Sequence, residues 1–334
     1  MSLAIIDATA GDAGPALSAR YSSRYATPIA NAPLIGHVFD ELVAAGIKRA
    51  RIVTNPRVRP DLDQALRAGT TRGIDVSYRD VPEGEERIAL LSEVERALSA
   101  EPVLMHPGDG LFGAQIMAMQ QRFRDGDVDS VLPARSSSEP LPTPAQGRAT
   151  DSALLLGPAT RPLLAELTSE ASPENDLIDS LRHSGCRLAV CEQGVRWRYS
   201  PATEALLAAN RMILDQLPET VEAEPGVDNQ LHGRISISPT ASISNCILYG
   251  PISIADRAVL EDSFVGPYTA VGAGAILSGA EIDNSMVLAG SEVRSPGFRI
   301  EGSVIGERAR VLRSFELPKG LHLRLGPGSR ATFS

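Results

Sequence analysis

The last third of the chain carries a repeat of aliphatic residues that limits what it can fold into. From about residue 234, aliphatic residues recur in steps of six, six and five, which add up to 17 at every third step. An amphipathic helix would show steps of three and four, and a hairpin sheet would alternate by two. The repeat therefore predicts a three-sided coil, in which each side is a short strand with one aliphatic residue turned inward. One register of this repeat is Ile237, Ile254, Val271, Leu288 and Ile305.

Turn-forming residues such as Gly250 lie between the predicted strands, where tight corners require them. The segment 295–299 interrupts the register and predicts a loop. Over residues 234–312 the pattern resembles the hexapeptide-repeat left-handed β-helix. Proteins of that class are often acyltransferases that use a histidine of the coil as a base, but none lies between His232 and His322. We therefore expect this part to serve packing or self-association.

Strand-like runs and helical stretches alternate through the first two-thirds of the chain. This alternation predicts an α/β fold, in which helices cover both faces of a mainly parallel sheet. Ligands of such sheets bind beyond the carboxyl ends of the strands. A chain of 334 residues also exceeds the usual size of one core, so we expect an α/β domain over residues 1–220 and a β-helix domain over residues 221–334. Strands are predicted at 3–6, 51–54, 74–78 and 102–106, and helices at 33–45, 60–67 and 86–99.

Charge and composition exclude several classes of partner. The formal net charge is -9 and the pI is about 5.2, so no electrostatic attraction to nucleic acid or to an anionic membrane is expected. No apolar run reaches membrane-spanning length. The three cysteines, Cys186, Cys191 and Cys246, lack metal-site spacing and are typical of reduced thiols in a cytoplasmic protein.

Several segments in the α/β part carry a family resemblance. Residues 27–47 resemble the segment that follows the active-site loop of glucose-1-phosphate thymidylyltransferases and related sugar-1-phosphate nucleotidyltransferases. Residues 106–113 are similar to the Gly-Asp-Asn turn of that family, and residues 174–180 to its Glu-Leu-Glu-Ile-Thr-Asp block. The run Trp-Arg-Tyr-Ser at 197–200 resembles the end of its catalytic domain. The resemblance implies the long form of the family, a Rossmann-like nucleotidyltransferase domain followed by a left-handed β-helix.

The same resemblance implies a glycine-rich loop after the first strand, where backbone amides approach the nucleotide phosphates closely because glycine has no Cβ. Residues 9–14 occupy that position, and the two leading glycines of the family are absent from them. Gly14 stands where the family has an arginine, and Asp12 adds a carboxylate that should repel a triphosphate. Asp12 also fits the role of a turn or helix-capping residue.

Two candidate catalytic residues follow from the family pattern. Arg24 stands at the position of a lysine that neutralises phosphate, and arginine keeps the charge while changing its shape. Asp109 matches the first of two magnesium-binding aspartates, whereas the second position holds Tyr199. Two carboxylates normally hold the ion that bridges the reacting phosphates, so magnesium binding is doubtful here. The alternative roles are a solvated loop residue for Arg24 and a turn residue for Asp109.

Five positions are candidates for substrate binding. Gly84 belongs to a Pro-x-Gly that matches the base-reading region, and Glu174 and Asp176 match paired acids that contact the sugar in relatives. The two acids also suit the exposed first turn of a helix, where the dipole favours negative charge. Arg198 and Asp12 complete the set.

Three functions remain open at this stage. The first is a diverged nucleotidyltransferase homologue that keeps a cleft for a sugar phosphate or nucleotide, or regulates an active paralogue. The second is an active enzyme that makes an NDP-sugar and pyrophosphate from an NTP and a sugar-1-phosphate. The third is a pocket refitted for another reaction on a phosphorylated metabolite. A homodimer or homotetramer is expected in each case.

Overall fold

A computed structural model describes residues 2–10, 23–67, 73–99, 101–133, 152–169, 177–191, 197–217 and 228–313. In these ranges the alternation of apolar runs and amphipathic stretches produces the α/β architecture predicted from the sequence. The strands of the α/β part are β1 (Leu3–Ala8), β2 (Pro28–Ile29), β3 (Ala32–Pro33), β4 (Arg49–Thr54), β5 (Asp75–Asp80), β6 (Val103–His106), β7 (Gly110–Leu111), β8 (Ser130–Pro133), β9 (Leu154–Leu156), β10 (Leu188–Cys191) and β11 (Trp197–Arg198). Its helices are α1 (Leu34–Ala44), α2 (Arg59–Leu66), α3 (Glu86–Ala97), α4 (Gln115–Asp125), α5 (Arg161–Ser169), α6 (Leu177–His183) and α7 (Thr203–Leu214).

Seven strands form the central sheet in the order β10-β8-β9-β6-β1-β4-β5. All neighbours are parallel except β9, which runs antiparallel to both β6 and β8. Apolar side chains of β1 alternate between two cores, since Ile6 packs in one and Ile5 in the other. Because β1, β4 and β6 are parallel neighbours, their carboxyl ends meet at one edge of the sheet, which is where ligands of such folds bind.

Two short antiparallel ribbons lie outside the central sheet. Strand β7 pairs with β11, and the hairpin β2–β3 turns at Ala30 and Asn31, both of which have positive φ. A single 3-10 turn over Arg24–Ala26 precedes this hairpin. The ribbon β7–β11 brings the segment around residue 198 next to the loop that follows β6, although the two are far apart in the chain.

The C-terminal part is a three-sided left-handed parallel β-helix, as the repeat predicted. Each side is a stack of five parallel strands, and the inward aliphatic residues form one continuous core. The first side contains β12 (Gln230–His232), β15 (Ile247–Tyr249), β18 (Phe264–Val265), β21 (Glu281–Asp283) and β24 (Ile300–Glu301). The second contains β13 (Ile235–Ile237), β16 (Ile252–Ile254), β19 (Thr269–Val271), β22 (Met286–Val287) and β25 (Val304–Ile305). The third contains β14 (Ser242–Ser244), β17 (Val259–Glu261), β20 (Ile276–Ser278), β23 (Glu292–Arg294) and β26 (Arg310–Leu312).

The predicted register of the repeat is wrong at one position, Leu288. Val271 pairs with Val287, which is fully buried in the β-helix core, and Val287 then pairs with Ile305. Leu288, predicted to point inward, instead packs in the core of the α/β part. Compared with the 17-residue repeat, the turn of the β-helix that leads to Val287 is one residue shorter, and the turn that follows Val287 is one residue longer. The extra length lies in the predicted loop 295–299, which connects β23 to β24.

The α/β part and the β-helix share a packed and hydrogen-bonded contact. Met286 and Leu288 of the β-helix join the apolar core that lies beneath the central sheet. Asn210 of α7 is fully buried at this contact, and the neighbouring Arg211 donates to Asn284 Oδ1 at 2.8 Å. The predicted boundary at residue 220 lies outside the described ranges and stays a prediction. No helix within those ranges is both long and apolar enough to cross a membrane.

Candidate active site

The loop after β6 places a carboxylate at the carboxyl edge of the sheet. Gly108 has φ +57°, and a Cβ there would lie 2.5 Å from the carbonyl oxygen of Asp7 at the end of β1. Glycine is therefore required, because any side chain would combine backbone strain with a clash. The chain turns at Gly108 and delivers Asp109 directly before β7, with no exposed surface on its side chain.

Asp109 forms ion pairs with two arginines from distant parts of the chain. Its Oδ2 lies 2.9 Å from Nη1 of Arg24, and its Oδ1 lies 2.9 Å from Nη2 of Arg198. We call these three residues the arginine–aspartate triad. The exposed fraction of the side chain is 12% for Arg24 and 20% for Arg198, so both side chains are largely buried. Two guanidinium groups thus face one carboxylate within the triad.

Tyr199 lies across the β7–β11 ribbon from Asp109. Its backbone N–H donates to the carbonyl oxygen of Asp109 at 2.9 Å, which puts the two residues in direct register. The guanidinium carbon of Arg24 lies 5.2 Å from the centre of the Tyr199 ring, within the range of a cation–π contact. The Tyr199 ring also packs edge to face against Trp197, with centroids 6.3 Å apart. The position where the family resemblance implies a second aspartate therefore holds an aromatic platform for Arg24.

His106, which was not a candidate from the sequence, lies at the end of β6 beside the triad. Its Nδ1 accepts a hydrogen bond from the Gly108 N–H at 3.0 Å, so the ring proton is on Nε2. Burial and, to a smaller extent, the positive charge of Arg198 lower the pKa of His106 to about 3, although the charge of Asp109 opposes the shift. The imidazole is therefore neutral at physiological pH. Its Nε2 is buried and has no hydrogen-bond partner in the part of the chain that the structure describes.

Two side chains accept hydrogen bonds from backbone amides at the end of the opening strand, β1. The N–H of Thr9 donates to Oδ1 of the buried Asp7 at 3.1 Å, and the N–H of Ala10 donates to the hydroxyl oxygen of Tyr25 at 3.1 Å. Asn55 holds the same strand end by donating to the carbonyl oxygen of Thr9 at 2.6 Å. The family resemblance places Thr9 and Ala10 at the two leading glycines of its loop, and both of their amides have partners within the protein.

The remaining predicted site residues are separate from the triad or outside the described residues. Gly84 lies in an exposed turn with φ +90°, and its N–H donates to Oε2 of Glu86 at 2.7 Å. Asp12, Glu174 and Asp176 lie outside the described ranges. Of the seven candidates, Arg24, Asp109 and Arg198 are thus brought into contact. The sequence analysis did not predict that Trp-Arg-Tyr pairs with the loop around Asp109, because no local pattern of residues encodes this pairing.

Asp109 is the residue that the family resemblance assigns to magnesium binding. Magnesium prefers several oxygen ligands in octahedral geometry, usually with one or two carboxylates. Each oxygen of Asp109 faces a guanidinium, and Tyr199 stands where the family resemblance implies the second carboxylate. Across the described ranges, no group of three His, Cys, Asp or Glu side chains is arranged to hold a metal ion. Within those ranges Asp109 is thus a single carboxylate that is already paired with two arginines.

A concave region whose lining includes no residue of the triad lies against α2. It is an open cleft of about 780 Å³, lined in part by Arg59, Asp63 and Asp80. Arg59 forms ion pairs with both acids, and its guanidinium lies 3.6 Å from the centre of the Tyr78 ring. Arg59 is thus already paired with two acids of the cleft, which does not favour an anionic ligand at this arginine.

Comparisons with known proteins show what this chain is similar to. A family model described as nucleotidyl transferase matches residues 17–137. Glucose-1-phosphate thymidylyltransferase of Streptomyces antibioticus is 22% identical, with 92% of this chain and 93% of that protein covered, and the enzyme of the same name from Streptomyces griseus is 25% identical with 94% of each covered. A solved structure from Bacillus anthracis, assigned as a glucose-1-phosphate thymidylyltransferase, matches with a TM-score of 0.49 at 15% identity over 63% of this chain and 95% of its own. The chain is thus similar to glucose-1-phosphate thymidylyltransferases over nearly its whole length, and residues 17–137 match the nucleotidyl transferase model.

Proposed function

We propose that this chain is a diverged sugar nucleotidyltransferase homologue that binds a phosphorylated small molecule through two arginines, without magnesium. The observation that carries the proposal is the arginine–aspartate triad. Arg24 and Arg198 are held by a fully buried carboxylate, and each keeps a small part of its side chain exposed. Guanidinium groups bind phosphate oxygens through paired N–H donors, and they need no metal to neutralise the charge.

The two guanidinium groups of the triad suit an anionic ligand. They lie at the carboxyl edge of the sheet, next to the buried and neutral His106. A phosphate or pyrophosphate group would accept hydrogen bonds from Arg24 and Arg198 while Asp109 keeps the two guanidinium groups in place. In a partly desolvated site each such charge-assisted contact is worth about 1.5–3 kcal/mol. Sugar phosphates and nucleoside diphosphates both carry a phosphate or pyrophosphate group of this kind.

The hydrogen bonds at the end of the opening strand support the proposal that the ordinary nucleotidyl transfer reaction has been lost. The amides of Thr9 and Ala10 donate to Asp7 and Tyr25, so a triphosphate would have to displace both side chains to reach them. Removal of a single preorganised donor from an active site commonly lowers the rate about 10²–10³-fold. We therefore propose a role in ligand binding, in regulating an active paralogue, or in a reaction other than nucleotidyl transfer.

The alternative is an active nucleotidyltransferase that joins an NTP to a sugar-1-phosphate. The specific observation in its favour is that the matches to two thymidylyltransferases extend over more than nine-tenths of the chain. In that case Arg24 would contact the phosphates, and Asp109 would have to leave both arginines to serve as a metal ligand. A homodimer or homotetramer is proposed under either function.

Calorimetric titration with pyrophosphate and with glucose-1-phosphate tests the proposal. We expect binding in EDTA that added Mg²⁺ does not strengthen, and a loss of affinity of about 10- to 100-fold in Arg24→Met and in Arg198→Met. Arg182→Met is the matched control, because Arg182 forms an exposed ion pair with Asp179 on α6. Binding that requires Mg²⁺, or that survives both arginine substitutions, would refute the proposal.

A second assay addresses the alternative. The protein is incubated with a panel of NTPs and sugar-1-phosphates in Mg²⁺, and released pyrophosphate is measured. Steady turnover in the wild type that disappears in Asp109→Ala would establish the active enzyme. Absence of turnover together with Mg²⁺-independent binding would support the diverged homologue.

A further inference from the structure

We infer that the β-helix is part of the ligand-binding machinery, because the buried Asn210 of α7 fastens the hairpin that follows Arg24 to the coil of the β-helix. Asn210 is a positioning residue in this inference, since it acts on the ligand through Arg24. The inference rests on the proposed function for its ligand, although its structural part can be tested independently.

Asn210 connects three elements through one side chain. Its Oδ1 accepts a hydrogen bond from the Ala30 N–H at 3.1 Å, and its Nδ2 donates to the carbonyl oxygen of Tyr268 at 2.9 Å. Ala30 lies at the tip of the β2–β3 hairpin, and Tyr268 lies at a corner of the β-helix. The side chain has no exposed surface. Both ends of the amide are satisfied, so the side chain can adopt a single orientation.

A second side chain repeats the connection at the adjacent residue. Nδ2 of Asn31 donates to the carbonyl oxygen of Ser253 at 3.1 Å and lies 3.0 Å from its hydroxyl oxygen. Ser253 belongs to β16, in the side of the β-helix that faces the α/β part. The whole tip of the hairpin, Ala30 and Asn31, is therefore fixed to elements outside the central sheet.

The hairpin is linked to Arg24 by a short hydrogen-bonded path. The Leu34 N–H donates to the carbonyl oxygen of Thr27 at 2.9 Å, and the Thr27 N–H donates to that of Arg24 at 3.2 Å. His37 of α1 lies 2.8 Å from the carbonyl oxygen of Ile29 and holds the first strand of the hairpin. A displacement of the hairpin tip would therefore move the turn that carries Arg24, because only a short, hydrogen-bonded stretch of chain separates the tip from that turn.

The other arginine is connected to the same anchor. Arg198 lies on β11, and the chain continues from there into α7, which begins at Thr203 and carries Asn210. The indole N–H of Trp197 donates to the carbonyl oxygen of Ala205 at 2.8 Å, which fixes β11 to the first turn of this helix. Helix α7 thus links the segments of both arginines, and the β-helix holds it in place.

The test uses Asn210→Ala and Asn31→Gly in the full chain. Glycine suits position 31 because the native φ of +70° costs glycine nothing, so that variant removes the side chain without backbone strain. Arg211→Ala is the matched control. It removes the bond to Asn284 across the same contact and from the same helix, without touching the hairpin.

Two measurements are made on each variant. Hydrogen exchange of peptides that cover residues 24–27 should become faster in Asn210→Ala and Asn31→Gly, and should match the wild type in Arg211→Ala. The affinity for pyrophosphate should fall roughly 2- to 30-fold in the first two variants and stay within twofold of the wild type in the control.

The outcomes separate the inference from the function on which it rests. If exchange at 24–27 is unchanged in both asparagine variants, or if the Arg211 control behaves as they do, the positioning role of Asn210 is overturned. If the wild type binds no pyrophosphate at all, the proposed function fails, and the exchange comparison alone decides whether the β-helix anchors the Arg24 turn.

Discussion

Glu41 gives the most quantitative prediction, because the fold places this acid of α1 under the loop that follows the triad. Its two carboxylate oxygens accept hydrogen bonds from the N–H groups of Phe112 at 2.9 Å and Gly113 at 2.8 Å. Desolvation by burial raises the pKa of Glu41 from its ordinary value near 4.5 to about 7, against the lowering effect of the two amides. The neighbouring Asp40 adds a small upward contribution.

The sign of the pH effect follows from proton linkage. The folded state holds the Glu41 proton more tightly than the unfolded state, so its contribution to stability is complete below about pH 4.5 and is lost as the pH rises through about 7. The full shift corresponds to about 3 kcal/mol. Because the residue is partly exposed, we expect about 1–2 kcal/mol of the free energy of unfolding to be lost between pH 5 and pH 8.

Urea unfolding followed by tryptophan fluorescence measures this loss. Trp197 is the only tryptophan of the chain and lies in the α/β part, so its emission reports on the unit that contains Glu41. We expect the free energy of unfolding to fall with pH in the wild type and to fall less steeply in Glu41→Gln. Glu85→Gln is the control, because Glu85 is exposed at the start of α3. Parallel pH profiles for the wild type and Glu41→Gln would refute the reasoning.

Gly108→Ala should destabilise the α/β part by about 1–3 kcal/mol, because its Cβ would lie 2.5 Å from the Asp7 carbonyl at a positive φ; an unchanged urea midpoint of tryptophan emission would contradict this. Gly272→Ala, whose Cβ would lie 2.7 Å from the backbone nitrogen of Ala289, should instead destabilise the β-helix. Circular dichroism during thermal unfolding checks this, and a wild-type melting curve would count against it. Asp109→Asn removes the negative charge between two arginines, so pyrophosphate in EDTA should bind as tightly as in the wild type or up to about tenfold more tightly. A magnesium-dependent site would instead bind no pyrophosphate in EDTA, and with Mg²⁺ present it would lose affinity on this substitution.

The sequence alone determined the broad architecture. The 17-residue recurrence through Ile237 and Ile254 predicted the β-helix, and the alternation of strands and helices predicted the α/β sheet. Both succeed because hydrophobic periodicity is a local property that reports directly on the geometry of one element. It fails at Leu288, where the inward position belongs to Val287, because a shorter corner shifts the register by one residue.

Tertiary structure decided what the candidate site contains. Arg24, Asp109 and Arg198 were separate candidates in the sequence, and only the pairing of β7 with β11 brings Arg198 against the same carboxylate that Arg24 contacts. The neutral state of His106 and the raised pKa of Glu41 likewise arise from burial by distant segments. Charge pairing and desolvation depend on which parts of the chain meet in space, and no local pattern of residues encodes that.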